Sequence, residues 1–506
     1  MTQTWLLPVI VGLPLVASVL LLLAGRRADR WALPFGVGVT GVVLLLSLVL
    51  LGRFDTSASS QVQFDFSVSW VPQLDLSIHL GIDGLSLPMV VLTSLLCFLC
   101  ALYSLRNLPE PGRPRAFVGL FLLLQVGLLG AFAALDLVLF FVFFEIVLAP
   151  MWFLIDGWGS GEKRRSANVF ILYTLLGSVV MLLGFLLVWS STGTTDMVVL
   201  ADQHGSQMSG AVQLAAALLI GIGLAVKTPV WPLHSWLPDA HTAAPTAGSV
   251  LLAGVMLKMG TYGLVRIVLP QLPEGARALA PYLAALGVVG IVYGAMASYA
   301  QRDLKRLIAF SSVGHMGFVA LGIATLTGVG VNGAMFGNVA HGLITGLLFF
   351  VAGSIKVRYG TLDLRSMPRS LYARAPRLGF VLGFAAVASL GLPGLAGFWG
   401  EFLPMLGAYH PAVPARALYR VLLVIAALGT VFAAAYFLRV LRRVAQGPST
   451  TERVRDLTGL EAASWLPLVV LIVVLGLLPS ALLDLTGPTV ESILDGVPGV
   501  AVVGTP

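Results

Sequence analysis

The sequence predicts an all-α protein that crosses a membrane about fourteen times, and three observations carry that reading. Of 506 residues, 58% are hydrophobic and only 10% are charged. Mean hydropathy is +0.95, a balance no ordinary soluble domain has. Apolar windows of roughly 20 residues, enough to cross a hydrocarbon core of about 30 Å, recur along the chain. The lysines and arginines then fall in alternate loops. The net charge of +7 therefore reflects loop arginines and gives no ground for nucleic-acid binding. Cys97 and Cys100 are the only cysteines. They stand in an apolar CFLC string with too few companions for a metal, and read as packing residues.

Taken in order, the first apolar run starts at once and is too long and too poorly flanked for a cleaved signal. It becomes a span at 4–25, followed by 31–52. Residues 62–80, VQFDFSVSWVPQLDLSIHL, alternate polar and apolar letters and predict a short extracytoplasmic β-hairpin. Further spans follow at 84–105, 116–134, 135–156, 167–190, 211–235, 246–269, 281–300, 305–325, 331–355, 378–409, 417–438 and 462–485.

Orientation comes from the loop cations. With the N-terminus outside, the inner loops hold 23 of the 30 lysines and arginines, from Arg26 and Arg27 through Lys305 and Arg306 to Arg443, Arg453 and Arg455. The outer loops hold four: Arg53, Arg277, Arg416 and Arg420. Arg266 lies near the outer end of its span. One missed span would destroy this bias, so it supports the count as well as the orientation. Both termini are then expected outside a bacterial plasma membrane.

The remaining cations, Lys227 and Lys258, fall inside spans. A charge at that depth is expensive and reads as functional by default. A desolvated lysine can lose its proton near neutral pH, whereas an arginine cannot. Only five of the 30 cations are lysines, so two buried lysines suggest that titration is wanted. Glu145 sits in the middle of LDLVLFFVFFEIVLAPMWFL. His315 follows Ser311 and Ser312 on one helical face, and His341 shares a face with Asn338 and Thr345. Histidine can pass a proton through its two ring nitrogens. His234 and His241, which flank WLPDA, read as loop or channel-mouth residues.

Two stretches break their helices. Residues 225–263 carry Pro229, Pro232, Pro238 and Pro245 beside both lysines. The second, ASLGLPGLAGFWGEFLPMLG, carries Glu401. Broken backbone at membrane depth survives only where protein or water satisfies it. The breaks fall in spans seven and twelve, an odd offset, so they run in opposite directions. That pattern predicts two inverted five-helix repeats, spans 4–8 and 9–13, with the site near the midplane. The expected parts are 1–115 with the first three spans and the hairpin, 116–270 and 281–440 with the repeats, and 441–506 with an inner loop, the last span and a short outer tail.

The strings VFFEIVLAPMWFLIDGWG, AVKTPVWPLHSWLPDAHTAAPTAGSVLLAGVMLKMGTYGLVR, RDLKRLIAFSSVGHMGF and GLPGLAGFWGEF resemble the antiporter-like membrane subunits of respiratory complex I, the proton-pumping NADH–quinone oxidoreductase. The likeness extends to about residue 440. Within that group it is to the type with glutamate, here Glu401, rather than lysine in the second broken helix. It implies one proton channel in the subunit. Glu145 would pair with Lys227, and Lys258 with His315 and His341 would relay a proton to Glu401. The L and N types would flank the chain. NADH, FMN, iron–sulfur clusters and quinone would belong to other subunits, with no cofactor or metal here. A multisubunit Na+/H+ antiporter, which shares the broken-helix lysine motif, and a proton-pumping membrane hydrogenase, which partner identity would distinguish, are the alternatives. A scaffold that moves no ions would leave six buried ionisable residues unexplained.

Overall fold

The computed structural model describes residues 5–367, 369–447 and 454–498. Thr4, which opens the first predicted span, and Arg453 lie outside the described residues.

Two helices, α1 (Leu6–Leu23) and α2 (Asp29–Arg53), precede strands β1 (Gln63–Val71) and β2 (Leu76–Ile82). The strands pair antiparallel, and the hairpin seen from alternation is present at that place. Asp75 closes it in the left-handed region at φ 54°. Then come α3 (Leu87–Ser104), α4 (Pro114–Ala133), α5 (Leu137–Trp158) and α6 (Lys163–Thr192). The first broken crossing is α7 (Gly210–Lys227) with the short α8 (Trp236–Ala243). Next are α9 (Thr246–Gln271), α10 (Pro273–Ala300), α11 (Leu304–Ala324) and α12 (Gly328–Tyr359). The second broken crossing is α13 (Pro376–Ala388) with α14 (Ala396–Tyr409). The chain continues through α15 (Arg416–Ala445), α16 (Gly459–Leu477) and α17 (Ser480–Asp495).

Thirteen helices among the described residues are long and apolar enough to cross a membrane, and α13 with α14 covers the remaining predicted span. The protein is thus a multi-pass membrane protein. The last predicted span, 462–485, runs too far. Its crossing ends at Leu477, and Ser480 starts a separate helix whose Leu482, Leu485 and Val490 pack inward. Pro479 at the joint explains the stop, because proline cannot continue the preceding helix's hydrogen-bond ladder.

Helix starts follow local chemistry. Asp136 accepts from Val138 N–H and Leu139 N–H, and Asp303 accepts from Arg306 N–H, each capping free donors at a first turn. Thr458 and Glu461 form a reciprocal capping box on α16.

Burial separates a core from a rim. The apolar window of α12 is 100% buried, against 33% for α2 and α15. Helices α3, α4, α9, α11 and α12 form the core, and α1, α2, α6, α15 and α16 form the exposed apolar rim.

Two joints recur at one constant sequence offset. Before α5, Leu137 N–H donates to Thr195 O at 2.9 Å and Met197 N–H to Leu135 O at 2.7 Å. Before α11, Leu304 N–H donates to Leu362 O at 3.0 Å and Leu364 N–H to Arg302 O at 2.7 Å. The shift from 137 to 304 also carries 195 to 362, 197 to 364 and 135 to 302. These joints open the fifth and tenth crossings, so helix alternation puts them on opposite faces. Such a relation is what two halves of opposite orientation would produce.

Candidate functional site: a buried polar row

The row begins where α7 stops. Lys227 is its last residue, followed by Thr228 and Pro229. The stop frees carbonyls, and Trp236 Nε1–H of α8 donates to Val226 O at 3.0 Å. Lys227 is buried. Its Nζ lies 4.4 Å from the centroid of the Phe144 ring and has no hydrogen-bond partner among the described residues. Glu145 follows Phe144 on α5. Its polar neighbours are Ser178 of α6 and Lys227, and its buried Oε1 is likewise unpartnered. The sequence reading placed these two together, and the structure brings them within reach of each other's charge without a direct ion pair.

Lys258 lies near the middle of α9, fully buried. The turn before it, Leu252–Met256, is a π-helix. This wider turn leaves the Ala253 carbonyl facing the side chain, and Lys258 Nζ donates to it. Lys258 Nζ also meets His341 Nδ1 of α12 at 2.6 Å. Asn338, one turn before His341, accepts from Thr261 Oγ1 at 2.9 Å and fastens α12 to α9.

From His341 the row passes to His315 of α11, whose ring centroid lies 5.5 Å away at 61°. His315 Nδ1 meets Glu401 Oε1 of α14 at 3.1 Å, and its Nε2 meets Ser389 Oγ at 3.0 Å. Ser389 ends α13, at the mouth of the second break. A small cavity lined by His315, His341, Thr345, Ser389 and Glu401 runs beside these groups. Gly391 in the break has φ +67°, and a Cβ there would stand 2.8 Å from Glu401 Oε2. Four of the six predicted residues thus fall in one row, as two bonded pairs, Lys258–His341 and His315–Glu401, whose imidazole rings face each other. Glu145 and Lys227 form a separate pair at the first break.

Three placements differ from the sequence reading. His241 is fully buried rather than at a mouth, and stacks on Phe349 at 4.7 Å with 6° between the rings. His234 is also buried, edge-on to Tyr293 at 4.9 Å. The proline-broken stretch looked like a loop, but α8 folds it back into the core. Lys305, counted among the loop cations, is buried and donates to Ala244 O at 2.7 Å. Lys356 donates to Ser160 Oγ at 2.7 Å beside it. Both lysines line a vestibule on the arginine-rich face, with Ser160, Pro245 and Thr246. The signal for Lys305 was weak, since a lysine two residues after an N-capping aspartate reads as a solvated first turn.

The sequence profile of the family described as NADH:quinone oxidoreductase/Mrp antiporter, transmembrane, matches residues 134–432, which contain every residue of the row. The chain is 40% identical to "NADH-quinone oxidoreductase subunit M" of Rhodobacter capsulatus, covering 97% of this chain and 96% of that one. Among solved structures, a chain of respiratory complex I from Thermus thermophilus with bound NADH superposes with a TM-score of 0.86 at 32% identity, covering 97% of this chain and 100% of that one. A chain of the Mrp complex from Dietzia shares the fold, with a TM-score of 0.84 at 24% identity over 98% and 100% of the two chains.

Proposed function

Because the chain belongs to the NADH-quinone oxidoreductase subunit M family, we propose that it is the proton-translocating membrane subunit of such a complex, moving protons along the buried row while other subunits oxidise NADH and reduce quinone. The observation that carries this reading is a pair of direct contacts, Lys258 Nζ to His341 at 2.6 Å and His315 to Glu401 at 3.1 Å, with the two imidazole rings facing each other at 5.5 Å. An amine, two imidazoles and a carboxylate in sequence can each hold or pass one proton.

In this reading a proton arrives from the arginine-rich face, taken as the cytoplasmic side, through the vestibule of Lys356 and Lys305. His241, which feels the charges of both Lys305 and Lys258, is the group that carries it inward. The Lys258 ammonium gives its proton to His341 Nδ1 and becomes a neutral amine. A proton then crosses from His341 to His315 through the small cavity that both rings line, and His315 Nδ1 delivers one to the Glu401 carboxylate, from which it leaves on the far side. Glu145 and Lys227 act as the control pair. Opposite charges largely shielded from bulk water interact strongly, so moving or neutralising Glu145 changes the field along α7 and α9. The L- and N-type subunits would flank the chain. NADH, FMN, iron–sulfur clusters and quinone would reside on other subunits, with no redox centre here.

The test is Lys258→Ala in the assembled complex, with NADH-driven acidification of everted vesicles followed beside NADH oxidation. Both should fall while subunit content stays unchanged. Undiminished acidification would overturn the reading and turn attention to sodium-dependent proton exchange.

A further inference from the structure

On the arginine-rich face, a wide open basin lies between the ends of α10 and α15 and the segment that follows α12. Six arginines line it: Arg302, Arg365, Arg369, Arg439, Arg442 and Arg443. No aspartate or glutamate is among its lining residues. None of the six has a carboxylate within ion-pair distance among the described residues. Arginines elsewhere in the chain do find acids: Arg266 pairs with Asp83 at 2.5 Å and Arg358 with Glu461 at 2.7 Å. So many like charges gathered without a counter-charge repel one another and call for an external anion.

The scaffold of the basin is built rather than incidental. Arg443 donates from Nε to Leu364 O at 2.5 Å and from Nη2 to Arg365 O at 2.5 Å, which ties the end of α15 to the segment after α12. Arg439 lies over the Tyr299 ring at 5.0 Å and donates to the Tyr299 carbonyl. Arg365 and Arg442 are left exposed, with no side-chain hydrogen bond among the described residues, so their guanidinium donors are available to an oxyanion.

One wall of the basin continues into the lipid-facing flank. Tyr299 is 52% exposed and Leu438 56% exposed, and Met296, Val431 and Phe432 extend the same apolar flank toward mid-membrane. A tyrosine at that position suits the headgroup level of a bilayer. An anion that meets both surfaces has a charged head and an apolar tail. We infer that the basin binds the headgroup of an anionic phospholipid, with its acyl chains along the exposed flank of α10 and α15. A basic pocket between helices at a membrane surface has the chemistry for such a headgroup.

The test uses the assembled complex in bilayers and two photoactivatable probes, phosphatidylglycerol and phosphatidylcholine with the same diazirine-bearing acyl chain. Labelled peptides are mapped by mass spectrometry. The phosphatidylglycerol probe should label peptides containing Met296 or Leu438 several-fold more than the phosphatidylcholine probe does. The double variant Arg365→Gln, Arg442→Gln should weaken that labelling by roughly fivefold per charge removed. The double variant Arg365→Lys, Arg442→Lys keeps both charges and should retain most of it. Equal labelling by the two probes, or unchanged labelling in the glutamine variant, would overturn the inference. So would a wild-type complex that neither probe labels, coupled with loss of a neighbouring subunit in the glutamine variant. That outcome would assign the arginines to a protein's carboxylates.

Discussion

Gly391 is the residue whose missing side chain would face the carboxylate at the end of the row. Its φ of +67° favours glycine, and any Cβ would press on the Glu401 carboxylate. Gly391→Ala should push Glu401 away from His315 and cut NADH-driven acidification by about tenfold or more, since displacements on the order of 1 Å at a reacting group cost that much. Subunit content, measured by quantitative mass spectrometry, should be unchanged. Lys258 allows a sharper contrast. Lys258→Arg keeps the positive charge but cannot release a proton. Acidification should be lost as completely as in Lys258→Ala. Acidification retained by the arginine variant would mean that Lys258 supplies only charge. The six ionisable residues were readable from sequence because a charge at membrane depth is conspicuous. Their partners were not. Ser389 is an ordinary letter, and only packing brings it against His315.

At the scale of elements, the hairpin is docked by an imidazole. His79 of β2 meets Asp196 at 2.7 Å and Asp65 at 3.1 Å. Burial disfavours the charged ring, but the hydrogen bonds and charges of Asp196 and Asp65 outweigh it and hold His79 above its usual 6.5. For Asp196 burial is again opposed, by the bond from His79 and by backbone N–H groups, and its carboxyl sits below its usual 3.8. The signs follow. The His79 contribution is present in full below about pH 6.5 and is lost as pH rises through its raised value; that of Asp196 is present above about pH 3.8 and is lost as pH falls through its lowered value. Amide exchange of Leu76–Ile82, corrected for intrinsic rate, should be faster at about pH 9 than at about pH 6. His79→Gln should abolish that difference. The hairpin itself was visible as alternation. The π turn before Lys258 was not, because a single widened turn has no letter pattern. The second break was visible through its glycines and prolines, whereas α17 was merged into the preceding span.

For the whole molecule, one buried ion pair fastens the last crossing to the core. Arg358 of α12 reaches both carboxylate oxygens of Glu461 on α16 at 2.7 Å each, and the two side chains are only 8% and 4% exposed. Removing one partner strands the other, at a cost of about 3–5 kcal/mol. Arg358→Gln should therefore lower the thermal stability of the purified complex, read by loss of this subunit on heating. The double variant Arg358→Met, Glu461→Leu should recover much of it. Helix α12 has a wider consequence. Its 32 residues make a rod of roughly 48 Å, longer than the roughly 30 Å hydrocarbon core, and its apolar window never meets lipid. Changes in bilayer thickness act on helices that touch acyl chains, by tilting them. They will tilt α1, α2 and α15 before they reach the spindle that carries His341. The subunit brings its own insulation, so its conductor keeps one length whatever membrane surrounds it.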